Sequence, residues 1–303
     1  MKKVLILGGV SYNLMIYLDR FPGTRPATVY AQGYHETVGS TGAGKALNLC
    51  RIGFDVVLHG LIGTDREGEQ VRQALARPGL HFLHDEDPAG TQRHVNLMNP
   101  AGERISIFIE PGTLDPEVAW EPIRAALAES ELLVLNIRNY ARRAIPLAQG
   151  LDKPIWCDIH DYDGEATFHH DFIEAADVLF LSGERIPDYR AFMETQIAAG
   201  KELVVCTHGR AGATALTPAG EWITVPIVDA YEREDTNGAG DAFFSGVLYG
   251  HLQGYGVRRA LALGAIVAGM CVTVPELAHP ELSPERVEQA YQHHFPATPP
   301  TRN

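Results

Sequence analysis

The segment EDTNGAGDAFFSGVLYG, residues 234–250, carries the residue types that phosphoryl chemistry needs. Gly238 and Gly240 lie in a polar loop that runs into the helical pattern AFFSGVLYGHLQG. The main-chain N–H groups of Gly238, Ala239 and Gly240 are therefore expected at a helix N-terminus. Unpaired amides and the positive end of the dipole make that an anion site. Glycine lets a phosphate approach the backbone with no side chain in the way. Asp235 or Thr236 can cap the turn. Asp241 is the odd member: a carboxylate in a first turn is ordinary as a dipole partner, but beside an anion site it repels the ligand. It has a use there if it takes the proton of a hydroxyl attacking phosphorus, a role worth on the order of 10²–10⁴ in rate. The amides would stabilise charge on the transferring group. The segment points to phosphoryl transfer to an alcohol.

Other stretches invite chemistry and answer to blander readings. VGSTGAGKALN, residues 38–48, has the spacing of a phosphate-gripping P-loop, but Ala46 stands where a Ser or Thr should meet magnesium. The polar AQGYHET precedes it where a buried strand should. DIHDYDGEATFHHD (158–171) gathers Asp158, His160, Asp161, Asp163, His169, His170 and Asp171 without a metal-ligand spacing such as H-E-x-x-H. It reads as a polar loop at the end of a strand, where Asp158 or His160 can border a ligand. His208 is expected at the surface. Arg93 and Arg104 are either solvated strand residues or acceptor contacts. No G-x-S-x-G elbow supports a serine hydrolase.

The elements that must position the 234–250 segment are legible as alternation. VLILG (4–8), DVVLHGLI (55–62), ELLVLNI (131–137), PIWCDI (154–159), DVLFLS (177–182) and ELVVCT (202–207) read as buried strands. Helical patterns such as EGEQVRQALA (67–76) and PEVAWEPIRAALAES (116–130) lie between them. This is the order of βαβ units around a mainly parallel sheet. Residues 14–37 and 91–110 depart from it and suggest a small accessory sheet, with a hairpin turning at Asn99-Pro100-Ala101-Gly102. The apolar run Ala260–Val274 is too short to span a bilayer and predicts a buried helix. At 303 residues with 45% hydrophobic content, the chain can bury a sizeable core. Its net charge of −13 argues against a nucleic-acid or membrane partner. Four dispersed cysteines, Cys50, Cys157, Cys206 and Cys271, read as reduced thiols in a cytoplasmic protein.

Asp235-Thr236-Asn237-Gly238-Ala239-Gly240-Asp241-Ala242-Phe243, with Gly246, closely resembles the motif D-T-x-G-A-G-D-x-F-x-x-G of the PfkB, or ribokinase-like, carbohydrate kinases. Supporting likenesses cover nearly the whole chain. VLILGGVSYNLMIYLDRFP (4–22) resembles the family's opening strand, and GLIGTDREG (60–68) its G-x-D-x-x-G segment. AGERISIF (101–108) is similar to its second lid hairpin, and THGRAGA (207–213) to its nucleotide loop. VGSTGAGKALNLCRIG resembles the loop held against the acceptor, so its P-loop likeness is a decoy.

The resemblance implies a ribokinase-like three-layer α/β/α sandwich with a mainly parallel central sheet and a β-sheet lid. Residues 1–295 would form the kinase domain, with lid segments near 14–37 and 91–110 and a loose Pro-rich tail at 296–303. It implies ATP and Mg²⁺, a sugar-like acceptor, Asp241 as base, and Gly238, Ala239 and Gly240 as anion hole. Thr207, Gly209, Gly212 and Gly240 would border the nucleotide. Asn13, Gly39, Ser40, Thr41, Gly42, Gly44 and Asp241 would border the acceptor. Asp235 and Asn237 match a K⁺ site of many members, and Glu184 the magnesium-shell glutamate at a spacing one residue off. A homodimer through the lid is a further implication.

The departures bear on the acceptor. Ser40 replaces the second Gly, Gly44 the sugar-binding Asn, and Asn13 the acceptor-binding Asp. Missing hydrogen-bond partners alter discrimination by orders of magnitude. A nucleoside kinase is therefore the alternative, and a non-catalytic ligand-binding relative the third possibility.

Overall fold

The computed structural model describes residues 2–296, so the expected tail, but for Pro296, lies outside the described residues. The chain divides into two compact units. The N-terminal unit comprises Lys2–Leu47 and Asp55–Pro154. It contains β1 (Lys3–Leu7), β2 (Ser11–Tyr17), β3 (Gly33–Gly39), the start of α1 (Thr41–Arg51), β4 (Asp55–Ile62) and α2 (Arg66–Leu75). These are followed by β5 (Leu80–Glu86), β6 (Arg93–Met98), β7 (Arg104–Glu110), α3 (Trp120–Glu129), β8 (Leu132–Asn136) and α4 (Ile145–Gly150).

One sheet of this unit has the order β8-β1-β4-β5 and is parallel throughout. Strands covered on both faces are apolar end to end rather than alternating, and LLVLN of β8 is buried at every position. The other sheet has the order β3-β2-β6-β7. Along β2, burial alternates with Ser11, Asn13 and Met15 inside, the period of a pleated strand. The hairpin expected at residues 99–102 joins β6 to β7, with Gly102 N–H donating to Asn99 O at 2.9 Å. Helix α2 starts where Asp65 accepts from Gly68 N–H (2.7 Å) and from Thr91 N–H and Oγ (2.7 and 2.6 Å). Burial alone would raise the Asp65 pKa, but these hydrogen bonds outweigh it and hold it below its ordinary value. The G-x-D-x-x-G segment is thus a helix cap tied to residue 91. Helix α3 starts at Trp120, later than its pattern suggests, because Ala119 is extended and donates its N–H to Asp85.

The C-terminal unit comprises Asn48–Phe54 and the chain from Ile155 onward. It contains β9 (Ile155–Asp158), α5 (His170–Ala175), β10 (Val178–Ser182), α6 (Tyr189–Ala198), β11 (Leu203–Thr207), β12 (Ala213–Leu216) and β13 (Trp222–Val225). Helices α7 (Ala239–Leu252), α8 (Val257–Cys271) and α9 (Pro284–His294) complete it. Strands β9, β10 and β11 are parallel, and β12 and β13 continue the sheet antiparallel. Trp156, Phe180 and Phe244 pack with ring centroids 4.5–5.9 Å apart, joining β9 and β10 to α7. Helices α7 and α8 approach through small residues. A Cβ on Gly246 would lie 2.6 Å from Leu263 O, and one on Gly250 would lie 2.6 Å from Ala260 Cα. Gly246, the last glycine of the motif, is therefore a packing residue. The apolar run 260–274 falls largely within α8, as expected, and no helix among the described residues is long and apolar enough to cross a membrane.

Candidate active site

In the C-terminal unit the loop before α7 is anchored by Glu234 and Asp235, whose N–H groups donate to Val272 O (2.7 and 3.1 Å). Asp235, 3% exposed, accepts Asn237 N–H at 2.7 Å and so turns the chain. Gly238 takes the left-handed conformation (φ 82°) as N-cap of α7, and Ala242 N–H donates to Gly238 O at 2.9 Å. No side chain caps this end. Ala239 N–H already donates to Thr236 O at 3.3 Å, whereas the amides of Gly238 and Gly240 have no acceptor among the described residues. A Cβ built on Gly240 would meet nothing within 4 Å. The fold does not demand a glycine there, but a ligand approaching the backbone would. Asp241 lies in the first turn of α7 and is 9% exposed. Burial, then the fields of Asp241 and Asp235, push the Cys271 thiol up to about 12, so it stays protonated.

The C-terminal ends of β9, β10 and β11 carry the other candidates, on the edge where α/β sheets receive ligands. After β11, His208 N–H donates to Gly212 O at 2.8 Å around a single turn of residues 209–211. A Cβ on Gly212 (φ 87°) would lie 2.1 Å from Val225 O, so Gly212 is required by packing. Gly209 is left-handed (φ 54°) with open space beside it. His208, expected at the surface, is half-buried, with Nε2 3.2 Å from Thr214 Oγ and its ring 4.6 Å from that of Tyr189. Burial, then Arg190, lowers its pKa. Gly183 N–H donates to Thr207 O at 2.8 Å, which brings the 182–184 segment beside Thr207. Glu184 is exposed there, its amide donating to Ser182 Oγ at 3.3 Å. Asp158, 9% exposed, accepts His160 N–H at 2.9 Å and stands 3.3 Å from His160 Nδ1. No group of three metal-ligating side chains occurs among the described residues.

The acceptor candidates lie in the N-terminal unit. Asn13, 4% exposed, accepts His94 N–H at 3.2 Å, and its Nδ2 would lie 2.0 Å from a Cβ on Gly39. Gly39 leaves room for that amide. Ser40 is left-handed at φ 73°, which accounts for a glycine at this place in the family pattern. Thr41 starts α1, and a Cβ on Gly42 would lie 2.6 Å from Gly9 O. Gly44 N–H donates to Ser40 O at 3.0 Å. Lys45 is fully buried within α1, which excludes the P-loop role of a lysine reaching phosphate. Arg93 pairs with Glu67 (3.4 Å) and Glu36 (3.7 Å), while Arg104 is exposed on β7.

Two residues that the sequence did not single out stand beside this group. His94 follows Arg93 on β6, and Arg138 comes two residues after β8. For Arg138, its place just past the carboxyl end of β8 was the available signal; His94, near the start of β6, offered none.

The pfkB family carbohydrate kinase model matches residues 1–152 and 166–284. The chain belongs to that family. It is 31% identical over 278 residues to the acarbose 7(IV)-phosphotransferase of Actinoplanes sp., covering 90% of this chain and 92% of that one. Among solved structures, a microbiome-derived acarbose kinase superposes with a TM-score of 0.85 at 24% identity, covering 95% of this chain and 98% of that one. Ribokinase of Arabidopsis thaliana, complexed with ribose and ATP, gives 0.78 at 18% identity, over 95% and 98%. These likenesses establish the ribokinase-like fold for this pfkB-family chain.

Proposed function

We propose that the protein transfers the γ-phosphoryl group of ATP to a hydroxyl of a sugar or sugar-like small molecule. The observation that carries this reading is the turn at residues 238–241: two amides without acceptors, a glycine facing open space, and a carboxylate one residue on. The new bond joins the acceptor oxygen to Pγ as the bond from Pγ to the β-phosphate bridging oxygen breaks. The hydroxyl proton passes to Asp241, and the Gly238 and Gly240 amides stabilise charge on the transferring group. Ala239 contributes its place in the turn, since its amide is taken.

Thr207, Gly209 and Gly212 would border the nucleotide, and Asn13, Gly39, Ser40, Thr41, Gly42 and Gly44 the acceptor. Mg²⁺ would neutralise phosphate charge. Glu184, an exposed carboxylate at the end of β10, fits it, because such sites take one or two carboxylates and leave the rest to water and phosphate. The buried Asp235 carboxylate and Asn237 are the residues that would hold K⁺. The four-stranded sheet would serve as lid and, through β7, as a homodimer contact, since β7 is an edge strand exposed from Arg104 to Ile109. Four free cysteines accord with a cytoplasmic location.

Asp241→Asn tests the reading. It should retain ATP binding and lose turnover on the order of 10²–10⁴-fold on whichever acceptor a panel of sugars and nucleosides identifies. Near-normal turnover would remove Asp241 from the base role. Turnover of nucleosides alone would replace the sugar acceptor.

A further inference from the structure

In the N-terminal unit, close approaches at glycines relate the start of α1 to a half-buried guanidinium. A Cβ on Gly9 would lie 2.3 Å from Ser40 Oγ and 3.6 Å from Gln92 Oε1. One on Gly112 would lie 2.7 Å from Asp87 Oδ2, 3.3 Å from Gln92 Cγ and 3.8 Å from Arg138 Nη2. Gln92 therefore neighbours both Gly9, beside Ser40, and Gly112, beside Arg138. On the same strand end, a Cβ on Gly8 would lie 2.6 Å from Asn136 Nδ2 and 2.8 Å from Gly42 Cα. Asn136 thus stands beside Gly42, and Arg138 follows it by two residues, just past the C-terminal end of parallel strand β8.

Arg138 has no ion pair or side-chain hydrogen bond among the described residues. Burial pulls its pKa below the ordinary value, against the opposing fields of Tyr140 and Asp87. Asp87 acts on it through its field but makes no ion pair with it, and its oxygens serve other donors. It accepts Thr113 N–H (3.0 Å), Thr113 Oγ–H (2.5 Å) and Ala89 N–H (3.0 Å). Burial, with Arg104 and Arg138 adding to it, pulls His94 down to about 4, so His94 is neutral near pH 7. Even half-buried, a guanidinium without an ion pair gives up solvation, and its planar fork matches a carboxylate bidentately.

We propose that Arg138 determines acceptor specificity and selects a sugar-like acceptor that carries a carboxylate. This rests on the kinase reading above and names the substrate class of the same site. The fork engages the carboxylate while a hydroxyl elsewhere on the acceptor takes the phosphoryl group.

The test compares matched acceptors with the purified chain, Mg²⁺ and ATP: gluconate against glucitol, glucuronate against glucose, and glucose phosphates as another anionic source. The acidic member of each carboxylate pair should show kcat/KM on the order of 10–100-fold above its neutral twin, the range of a hydrogen bond to a charged group. Arg138→Gln should collapse that ratio mainly through KM, and Arg138→Lys, which keeps charge but loses the fork, should retain part of it. Equal kcat/KM for the twins, a ratio unchanged in Arg138→Gln, or a preference for the phosphates over both would overturn the inference while leaving the kinase reading intact. Product from no acceptor at all, neutral ones included, would overturn the kinase reading and this inference with it. Should Arg138→Gln fail to fold, the wild-type ratios decide.

Discussion

Gly240 and Gly42 both sit in the first turn of a helix, yet a methyl group added to each meets different surroundings. At Gly240 there is nothing within 4 Å; at Gly42 the new carbon would lie 2.6 Å from Gly9 O and 2.9 Å from the Gly8 backbone. The contrast separates two ways of building a site. In the C-terminal unit, backbone amides are laid open and glycine keeps the approach clear for a ligand. In the N-terminal unit, glycines let backbone pack on backbone, and in the proposed reading recognition would come from the side chains of Asn13, Ser40 and Arg138. Backbone chemistry is bound to one loop and one spacing, whereas side-chain chemistry comes from residues far apart in sequence.

Substituting both positions breaks or sharpens that contrast. Gly240→Leu should leave the thermal unfolding midpoint nearly unchanged and lower kcat/KM on the order of 10²–10³-fold, as when one anion-hole donor is lost. Gly42→Ala should do the reverse first, costing about 1–3 kcal/mol of stability in a denaturant titration through overpacking. If Gly240→Leu instead unfolds the protein at ordinary activity per folded molecule, the open face beside Gly240 serves the fold and not a ligand.

The same contrast explains what could be read from sequence. The six strands at 4–8, 55–62, 131–137, 154–159, 177–182 and 202–207 were legible because buried parallel strands are unbroken apolar runs. The turn at 235–241 was legible because amide cradles need glycine at fixed offsets. Two features of that turn were not. Ala239 N–H is consumed by Thr236 O, a consequence of the left-handed Gly238 that spacing does not reveal. His208 reads as a surface residue, and its half-burial is not legible because its partners Thr214 and Tyr189 come from a neighbouring strand and helix. Arg138 had only its place past β8 as a signal, for a like reason. Its neighbours Gln92 and Gly112 are adjacent only after β8 and the chain around β6 and β7 have folded.

A pH experiment probes the surroundings of His94 in the N-terminal unit without any acceptor. Because the folded-state pKa of His94, about 4, lies below its ordinary value of 6.5, the unfolded chain binds the extra proton first. Above about 6.5 His94 is neutral in both states and contributes no pH dependence. As pH falls from about 6.5 toward 4, the stability associated with neutral His94 is lost, and below about 4 the loss levels off. His94→Gln should flatten this segment of a stability–pH curve measured by denaturant titration. An unchanged slope in the variant would place the titration on another group and remove the evidence that burial, with Arg104 and Arg138, holds His94 neutral.

The smallest effect concerns Ser40, the one left-handed non-glycine residue among the acceptor candidates. Left-handed backbone costs an L-residue about 1–2 kcal/mol, and glycine gives back part of the gain by widening the unfolded ensemble. Ser40→Gly should therefore stabilise the chain by about 1 kcal/mol or less, read as a small rise in denaturant midpoint. A residue retained against such a gain needs a use, and its Oγ lies close beside Gly9, which also neighbours Gln92. If the variant is more stable and also raises KM for the acceptor while kcat holds, the hydroxyl binds in the ground state, and side-chain recognition in this unit extends to Ser40. If it is more stable with unaltered kinetics, the serine is neutral there and the weight of acceptor recognition shifts to Asn13 and Arg138.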